Sequence, residues 1–336
     1  MLVSEFKKII EPTTVLGKGF VPITEYVYIE DKTIKVTNLE SFVELETENP
    51  MPFAGCVLAE KLNKFLTSMD KDAELTFATT ENVLTIHYSK KNKFAIPMQP
   101  LRDFPDTPSI KYNDVDLLCS FGLTEDFIKT LETTSKFIST TKSDFNGVYL
   151  KSNKMYGSNR DIIYIGDVDV NYENSIFIPY SLIKLLIKFK KTFQILEVYP
   201  FGFKATGFGA TLYHSGYEEV IMPKFDNVVS NYKSFLNIKP TEELKSSISR
   251  IGNFDGVVNI HIEDRMINIH TDNINETIEI SDFIDENKYS FKFNTVYLNK
   301  LLICETISFV KTEGTNDIKG LVGTSENCKI ICAVMY

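Results

Sequence analysis

The chain has 336 residues, of which 43% are hydrophobic and 12% aromatic, and its formal net charge is −9. This composition is typical of a folded protein of two or three domains and excludes a disordered chain. The negative net charge argues against a surface uniformly covered with phosphate-binding groups, but it is compatible with basic residues concentrated on one face.

The first ten residues include Glu5, Lys7 and Lys8, so we expect no secretory signal peptide. No window approaches the roughly 18 apolar residues of a membrane span, and we therefore expect no membrane partner. The cysteines are odd in number and scattered: Cys56, Cys119, Cys304, Cys328 and Cys332. We interpret them as reduced thiols, which predicts a cytoplasmic protein.

Each third of the chain contains two predicted amphipathic helices, which we call the opening helix and the second helix. The opening helices are predicted at 3–10, 124–138 and 241–251, and the latter two begin with acidic residues where the helix dipole favours them. The second helices are predicted at 57–66, 179–189 and 294–302, each with leucines at helical spacing on one face and lysine on the other. The regular spacing predicts three tandem copies of one domain, at 1–111, 112–222 and 223–336.

Short alternating segments between the helices are typical of antiparallel strands. Among them are 26–29, 83–88, 147–150, 162–165, 257–262 and 266–270. Tight hairpin turns are predicted at 30–32, 80–82, 152–154 and 263–265. The predicted fold class is therefore α+β, with one antiparallel sheet and two helices in each repeat.

Motifs that could carry chemistry are weak in this sequence. The glycines at 17–19 and 202–209 lack the rest of a phosphate-binding loop and are better explained as turns. His261 and His270 share a face if 264–265 is a two-residue turn, but no third metal ligand is evident, so we favour exposed strand histidines over a zinc site. Cys328 and Cys332 are best explained as small buried residues. We find no active site and expect no enzyme activity, no metal and no cofactor.

Basic residues recur at comparable positions of the six predicted helices. They are Lys7, Lys8, Lys129, Lys136, Lys245 and Arg250 on the opening helices, and Lys61, Lys64, Lys184, Lys188, Lys191 and Lys300 on or just after the second helices. A solvated face would explain any single helix, but six basic faces in an acidic protein favour contact with nucleic acid. Arginine, the usual reader of guanine edges, is rare, so sequence-specific readout is not expected.

Several stretches resemble one protein family. They are Phe94-Ala95-Ile96-Pro97-Met98 through Asp103-Phe104-Pro105-Asp106, then Gly147-Val148-Tyr149-Leu150 followed by Arg160-Asp161-Ile162 and Phe177-Ile178-Pro179, and finally Lys292-Phe293-Asn294-Thr295-Val296-Tyr297-Leu298. These residues resemble the bacterial-type sliding clamp, the beta subunit of replicative DNA polymerase, over nearly the whole chain. The departures at 157–162 and 333–336 indicate a divergent clamp, which we interpret as phage-encoded.

The resemblance implies a DNA polymerase processivity factor that encircles duplex DNA without sequence specificity. It implies a head-to-tail ring of two chains with the sheets outside and the helices inside, loaded by a clamp loader and tethering the replicative polymerase. Such a clamp acts on DNA in the cytoplasm, or in the host cytoplasm for a phage. The resemblance also places Lys18, Lys142 and Phe145 near the DNA, and Asp103, Phe104, Ile278 and Ile280 at the ring interface.

The resemblance further implies an apolar cleft that binds a short peptide from polymerases and loaders. The residues that would line it are Arg160, Ile162, Tyr232, Phe235, Ile331, Val334, Met335 and Tyr336. The end of the chain, Ile-Ile-Cys-Ala-Val-Met-Tyr, is unusually apolar for a terminus. Burial as a last strand explains 330–332, whereas Met335 and Tyr336 suit an adaptable binding groove.

Two other functions stay open from the residues alone. One is an enzyme with an unrecognised site on a repeated α+β fold. The other is a monomeric nucleic-acid-binding module that closes no ring. A deep pocket with converging titratable groups would favour the first, and a solution mass of one chain would favour the second.

Overall fold

The computed structural model describes residues 1–10, 16, 21–113, 115–141, 145–216, 220–225, 228, 232–279, 288–312 and 318–334, apart from the side chains of Ile110, Tyr232 and Thr312. The chain forms two compact units, residues 1–128 with 181–219 and residues 129–180 with 220–336. Within the described ranges no helix is long and apolar enough to cross a membrane.

The described residues form seven α-helices and 23 β-strands. The helices are α1 (Val3–Ile10), α2 (Ala59–Ser68), α3 (Ser109–Asn113), α4 (Glu125–Thr134), α5 (Tyr180–Lys188), α6 (Glu242–Gly252) and α7 (Thr295–Leu301). The strands in the first third are β1 (Tyr26–Glu30), β2 (Thr33–Thr37), β3 (Ser41–Glu46), β4 (Gly55–Leu58), β5 (Thr76–Thr80), β6 (Val83–His87) and β7 (Lys93–Gln99).

Sixteen further strands complete the chain. They are β8 (Cys119–Gly122), β9 (Gly147–Lys151), β10 (Lys154–Ser158), β11 (Ile162–Asp167), β12 (Ile176–Pro179), β13 (Ile195–Tyr199), β14 (Gly202–Gly207) and β15 (Ala210–Ser215), followed by β16 (Tyr232–Ile238), β17 (Val257–Glu263), β18 (Met266–His270), β19 (Asn275–Glu279), β20 (Tyr289–Asn294), β21 (Thr306–Thr312), β22 (Ile318–Ser325) and β23 (Cys328–Ala333).

One arrangement of elements recurs six times: a strand, a helix and three antiparallel strands. Five copies are β4-α2-β5-β6-β7, β8-α4-β9-β10-β11, β12-α5-β13-β14-β15, β16-α6-β17-β18-β19 and β20-α7-β21-β22-β23. The first copy is α1-β1-β2-β3, in which Leu2 replaces the leading strand with a single bridge to Glu74. The tandem repetition and the α+β class predicted from the sequence are confirmed, and each predicted repeat contains two of these smaller copies.

Main-chain hydrogen bonds join the copies in two ways. Leading strands are exchanged in pairs, since β4 pairs with β1, β8 with β13, β12 with β9, β16 with β21 and β20 with β17. In addition, the last strand of one copy pairs with the last strand of another, β3 with β15 and β11 with β23. We call these two pairings the final-strand joints. The resulting sheets contain 11, eight and four strands.

Two last strands lack such a joint within the described residues. Strand β19 is the edge of the four-stranded sheet. Strand β7 pairs with β6 along its length, but it meets β4 only through Met98 and Gln99. Among the residues that the structure describes, the far side of β7 from Lys93 to Pro97 is therefore an open edge, as is the outer side of β19.

The predicted turns are confirmed, as is the predicted start of the third opening helix, whereas Val57 and Leu58, predicted as helix, lie in β4 and the helix predicted at 124–138 is α-helical only over Glu125–Thr134. At all four predicted hairpins the register closes around two residues, as in Glu30 opposite Thr33 and Glu263 opposite Met266. Asp31, Ser152, Asn153, Asp264 and Arg265 adopt positive φ there, the conformation that tight hairpins require. Helix α6 begins after Thr241, whose side chain accepts a hydrogen bond from the Leu244 backbone N–H at 3.1 Å.

His214 is buried in the final-strand joint between β3 and β15, opposite Ser41. Its Nδ1 lies 2.7 Å from Ser41 Oγ, and its Nε2 lies 3.3 Å from Ser181 Oγ and 3.5 Å from Glu40 Oε1. The side chain is 0% exposed, and this burial lowers the pKa of His214 below 6.5, although Glu40 partly opposes the shift. The imidazole is therefore held neutral inside the joint.

This burial predicts a stability loss on acidification. The unfolded chain takes up a proton near pH 6.5, whereas the folded chain resists it, so the free energy of unfolding should fall as the pH drops through 6.5. Urea denaturation at a series of pH values from 7.5 to 5 measures the slope. His214→Gln should flatten this part of the profile. Parallel profiles for H214Q and the parent would contradict the assignment.

Candidate functional site

Most of the basic residues predicted to face nucleic acid are exposed on helices. In α5 the apolar stripe of Leu182, Ile183, Leu185 and Leu186 is buried, while Lys184 and Lys188 are exposed. The same division holds in α1, α2 and α4, where the exposed lysines are Lys7, Lys8, Lys61, Lys64 and Lys129. Lys136 and Lys191, which follow α4 and α5, are also exposed. Packing of each apolar stripe thus fixes the helix and leaves its amines in solvent.

Two predicted phosphate contacts are instead engaged with the protein. Arg250 forms a two-pronged ion pair with Glu276, at 2.9 Å from Nε and 2.8 Å from Nη2. This hydrogen bond raises the pKa of Arg250 and lowers that of Glu276. Lys300 donates from Nζ to the Lys136 carbonyl at 2.5 Å and lies 4.8 Å from the centre of the Phe137 ring. These two contacts tie α7 to the end of the helical segment that includes Lys136. Partial burial lowers the pKa of Lys300.

Other ion pairs on the helices are exposed. Lys64 bonds Glu60 at 2.6 Å, and Lys245 bonds Glu242 at 2.7 Å. Exposed pairs of this kind contribute little stability and are screened by salt, so phosphate can replace the carboxylate at little cost. Lys18 and Lys142, the two predicted loop contacts, lie outside the described residues. Phe145 is half-buried, beneath the guanidinium of Arg160 at 5.6 Å from the ring centre.

An aromatic cluster covers one face of the sheet formed by β9, β10, β11 and β23. Its buried members are Tyr149, Tyr156, Ile163, Ile165, Phe225 and Ile331, with Phe145, Phe177, Val220 and Met222 packed around them. Phe225 stacks on Tyr156 with 5.6 Å between ring centres. Beside it lies a cavity of about 230 Å³ lined by Ile165, Phe225 and Ile331 together with Lys154, Asp167 and Lys329. We call this surface the aromatic cleft.

The residues predicted for the peptide cleft do not all lie on this face. Ile331 belongs to the aromatic cleft, and Arg160 adjoins it through Phe145. Ile162 and Val334 are buried in the core on the opposite face, so their assignment to the cleft is corrected. Phe235 also packs on that opposite side, 4.4 Å from the Tyr289 ring centre. The side chain of Tyr232, Met335 and Tyr336 lie outside the described residues.

Five of the six buried residues of the aromatic cleft were not predicted from the sequence: Tyr149, Tyr156, Ile163, Ile165 and Phe225. Ile163 lies directly opposite Ile331 in the β11–β23 joint, so the two side chains share a face, whereas Ile162 pairs with Cys332. Side chains alternate between the faces of a strand, and an error of one position therefore selects the wrong face. Only the pairing of β11 with β23 shows that Ile163 lies on the cleft face, and that pairing is a tertiary contact that the sequence pattern does not reveal.

The described ring-interface residues differ in burial and position: one lies on an edge strand, one is exposed in a turn and one is buried. Ile278 lies on the open-edge strand β19, with its side chain buried. Asp103 is exposed in a short 3-10 turn, but Phe104 is buried and packs 5.4 Å from the Tyr28 ring centre. Phe104 is therefore a core residue, and the open edge nearest to it in sequence is β7. Ile280 lies outside the described residues.

Histidines and cysteines show no metal-binding cluster in the part of the chain that the structure describes, where no three His, Cys, Asp or Glu side chains converge. His261 pairs with Asn268, as predicted, and its ring stacks on His270 at 4.7 Å between centres. Cys332 is fully buried, as expected, and Cys328 is partly buried.

No protein-family model and no curated protein matches the chain. Solved structures match it along its whole length. A Helicobacter pylori beta clamp bound to a DNA ligase peptide has a TM-score of 0.83 and 12% identity, covering 100% of this chain and 99% of that one. The chain has the sliding-clamp fold. Caulobacter crescentus pol III beta gives a TM-score of 0.82 at 14% identity, and the Pseudomonas aeruginosa DNA polymerase III subunit beta gives 0.79 at 14%, each covering 100% of this chain and 99% of its own.

Proposed function

We propose that this protein is a DNA sliding clamp, a processivity factor that holds a polymerase on duplex DNA. The observation that carries the proposal is the six-copy fold, which beta clamps match over their entire length with TM-scores of 0.77 to 0.83. The exposed lysines on a helix of each of the first four copies, in a chain of net charge −9, support contact with DNA. An enzyme and a monomeric module are not favoured, because the full-length structural matches named above are all beta clamps.

The proposal includes three domains, at 1–111, 112–222 and 223–336. The pairwise exchange of leading strands supports this division, because each exchange links two neighbouring copies. It also includes the finer partners implied by the resemblance: a replicative polymerase, a clamp loader and a second copy of the chain. We place the protein on DNA in the cytoplasm, or in a host cytoplasm for a phage protein.

Lysines on exposed helix faces suit a protein that must move along DNA. An amine on a flexible stem makes interchangeable phosphate contacts, whereas a bidentate arginine would fix one register. Because Arg250 is paired with Glu276, lysines supply the basic groups on the exposed helix faces. We therefore remove Arg250 and Lys300 from the proposed DNA contacts and retain the exposed lysines.

Charge reversal tests the DNA contacts. Lys61→Glu with Lys188→Glu should weaken binding to a linear duplex and should reduce the slope of log affinity against log salt by about 0.9 for each phosphate that is no longer neutralised. Fluorescence anisotropy of labelled duplex at several salt concentrations measures both quantities. The matched control is Lys32→Glu with Lys151→Glu, which makes the same change in net charge in exposed turn and strand positions. Equal effects of the two double variants would contradict the assignment.

The aromatic cleft is the proposed docking site for partner peptides. The Helicobacter pylori beta clamp was solved with a bound DNA ligase peptide, which supports peptide docking in proteins of this fold. In this chain the buried rings of Phe225 and Tyr156 and the adjoining cavity favour an apolar or aromatic peptide side chain.

Two alanine variants near the end of the chain test this docking site. Ile331→Ala enlarges the aromatic cleft and should weaken binding of the cognate polymerase's tail peptide by about tenfold, whereas Val334→Ala, on the opposite face, should leave affinity within about twofold. The two side chains are similarly buried, at 6% and 8% exposure, so general destabilisation affects both. Isothermal titration calorimetry with the peptide decides between them. Weaker peptide binding by V334A than by I331A would sink the cleft assignment.

The open edges of β7 and β19 support closure into a ring of two chains. Within one chain the last strands of four copies form the final-strand joints, and only β7 and β19 remain without one among the described residues. Exposed strand edges invite pairing, and a head-to-tail pairing of β7 with β19 of a second chain would repeat the same joint. We therefore include β7 in the proposed interface.

Hydrogen exchange tests the ring. Backbone amides of β7 and β19 should be protected at micromolar concentration and should exchange faster on dilution, as the mass falls from twice 38.4 kDa towards that of one chain. The edge strands β8 and β16 serve as controls, because their exchange should not depend on concentration. Protection of β7 and β19 that is independent of concentration, with a mass of one chain, would contradict the interface.

A further inference from the structure

A second cavity lies beside the other final-strand joint, the pairing of β3 with β15. Its volume is about 430 Å³, and because the β14–β15 hairpin lines part of it, we call it the hairpin cavity. The strand register relates it to the cavity of the aromatic cleft. The first residue of the last strand, Ala210 here and Cys328 there, lies opposite Leu45 in one joint and Gly166 in the other. Each cavity is lined by the two residues that flank this opposite position, so the two cavities are counterparts in the repeated fold.

Phe208 is held in an unfavourable backbone conformation at the tip of this hairpin. Gly207 pairs with Ala210, so Phe208 and Gly209 form the whole turn, with φ of 44° and 71°. A bulky residue rarely adopts positive φ, and the first turn residue with positive φ in the predicted hairpins is aspartate or serine. The backbone N–H of Glu46 donates to the Gly209 carbonyl at 2.7 Å, which ties the tip to β3. The surrounding main chain therefore maintains the strain, as is common at binding sites.

Two apolar side chains of the hairpin cavity are exposed to solvent. Phe208 is 74% exposed, and Ile195, which lies opposite Thr206 on β14, is 45% exposed. Single exposed apolar side chains are ordinary on a protein surface, but two that line one concave site suit the apolar part of a partner. Phe208 and Ile195 therefore offer an apolar contact whose position is fixed by the strands and the turn.

The charged side chains that line this cavity are acidic. They are Glu44 and Glu46, and no lysine or arginine lines it in the part of the chain that the structure describes. Glu44 lies 3.7 Å from the Lys35 amine, whereas Glu46 is exposed. Carboxylates repel phosphate and attract a lysine or arginine of a partner, so the lining favours a basic peptide over nucleic acid. The cavity of the aromatic cleft differs, because Lys154 and Lys329 are among its lining residues.

We propose that the hairpin cavity is a second docking site, one that binds a linear peptide in which an aromatic or long aliphatic side chain adjoins a lysine or arginine. The apolar side chain packs against Phe208 and Ile195, and the basic group pairs with Glu46. Charged contacts at a surface add specificity more than affinity, so the apolar contact supplies most of the binding energy. This role goes beyond the proposed clamp function and does not require it.

Peptide selection followed by titration tests the site. The probe is a phage-displayed library of random linear peptides, selected on the full-length protein, and it should yield peptides that place an aromatic residue beside lysine or arginine. In isothermal titration calorimetry with one such synthetic peptide, Phe208→Asn should lower affinity by about tenfold, and Glu46→Gln by about threefold to fivefold with a weaker dependence on salt. Phe254→Asn is the matched control, because Phe254 is 73% exposed but does not line this cavity, and its affinity should stay within about twofold of the parent's.

Loss of folding cannot mimic the result expected for Phe208→Asn. Asparagine before glycine is the pair that this type of turn prefers, so the variant should unfold at a higher temperature than the parent while it binds the peptide more weakly. An excess of the cognate polymerase's tail peptide should leave the selected peptide bound, which separates this site from the aromatic cleft. If that tail peptide does not bind the protein at all, the comparison of the parent with F208N still decides.

A selection that yields no peptide weakened by F208N would overturn the proposal, as would equal affinity of the parent and E46Q for a basic peptide. Displacement by the tail peptide would place the selected peptide in the aromatic cleft and count against the second site. Weaker binding of duplex DNA by F208N, or a lower solution mass, with peptide binding retained would assign Phe208 to nucleic acid or to a second copy of the chain instead.

Discussion

Pairing of main-chain groups between copies is the constraint on which the rest of this structure depends. A buried N–H or C=O without a partner costs free energy comparable to that of a hydrogen bond, so a strand edge must be paired or exposed to water. Among the described residues, no copy pairs both of its strand edges with its own strands alone. Leading strands are exchanged between neighbours, and four of the six copies close their last strand against another copy. The copies therefore fold as parts of larger sheets.

Because strand pairing holds the copies together, the solvent-facing side of each helix is not needed for packing between copies. The sheets hold the copies together through the backbone, and each helix needs only an apolar stripe to stay in place. The opposite face then carries charge with little structural role. Arg250 and Lys300 are the exceptions, because one is paired with Glu276 and the other crosses to the Lys136 carbonyl. A lysine that packs on a ring and caps a carbonyl contributes to the fold, and its amine has less freedom to follow a moving ligand.

Local patterns predicted local structure well. Two-residue turns such as Asp264-Arg265, and the Thr241 start of α6, follow from short-range hydrogen bonding and backbone geometry, and both are as predicted. The residues of the aromatic cleft were harder to predict, because Ile162 and Ile163 are both apolar and only their partner strand decides which one faces outward. The contacts of Phe104, Arg250 and Lys300 were also hidden, since Tyr28, Glu276 and Lys136 are distant in sequence. Such contacts depend on tertiary packing, which periodicity does not encode.

The final-strand joints use groups that every residue except proline possesses. Their strength therefore depends little on which side chains occupy β3, β11, β15 and β23, provided that the alternation of apolar and polar positions is kept. This explains how a chain only 12% to 14% identical to solved beta clamps can keep their architecture over its full length. It also means that mutation can proceed unevenly. Solvent-facing strand positions are free to drift, while insertion of a single residue into β11 would turn Ile163 inward and erase the cleft in one step.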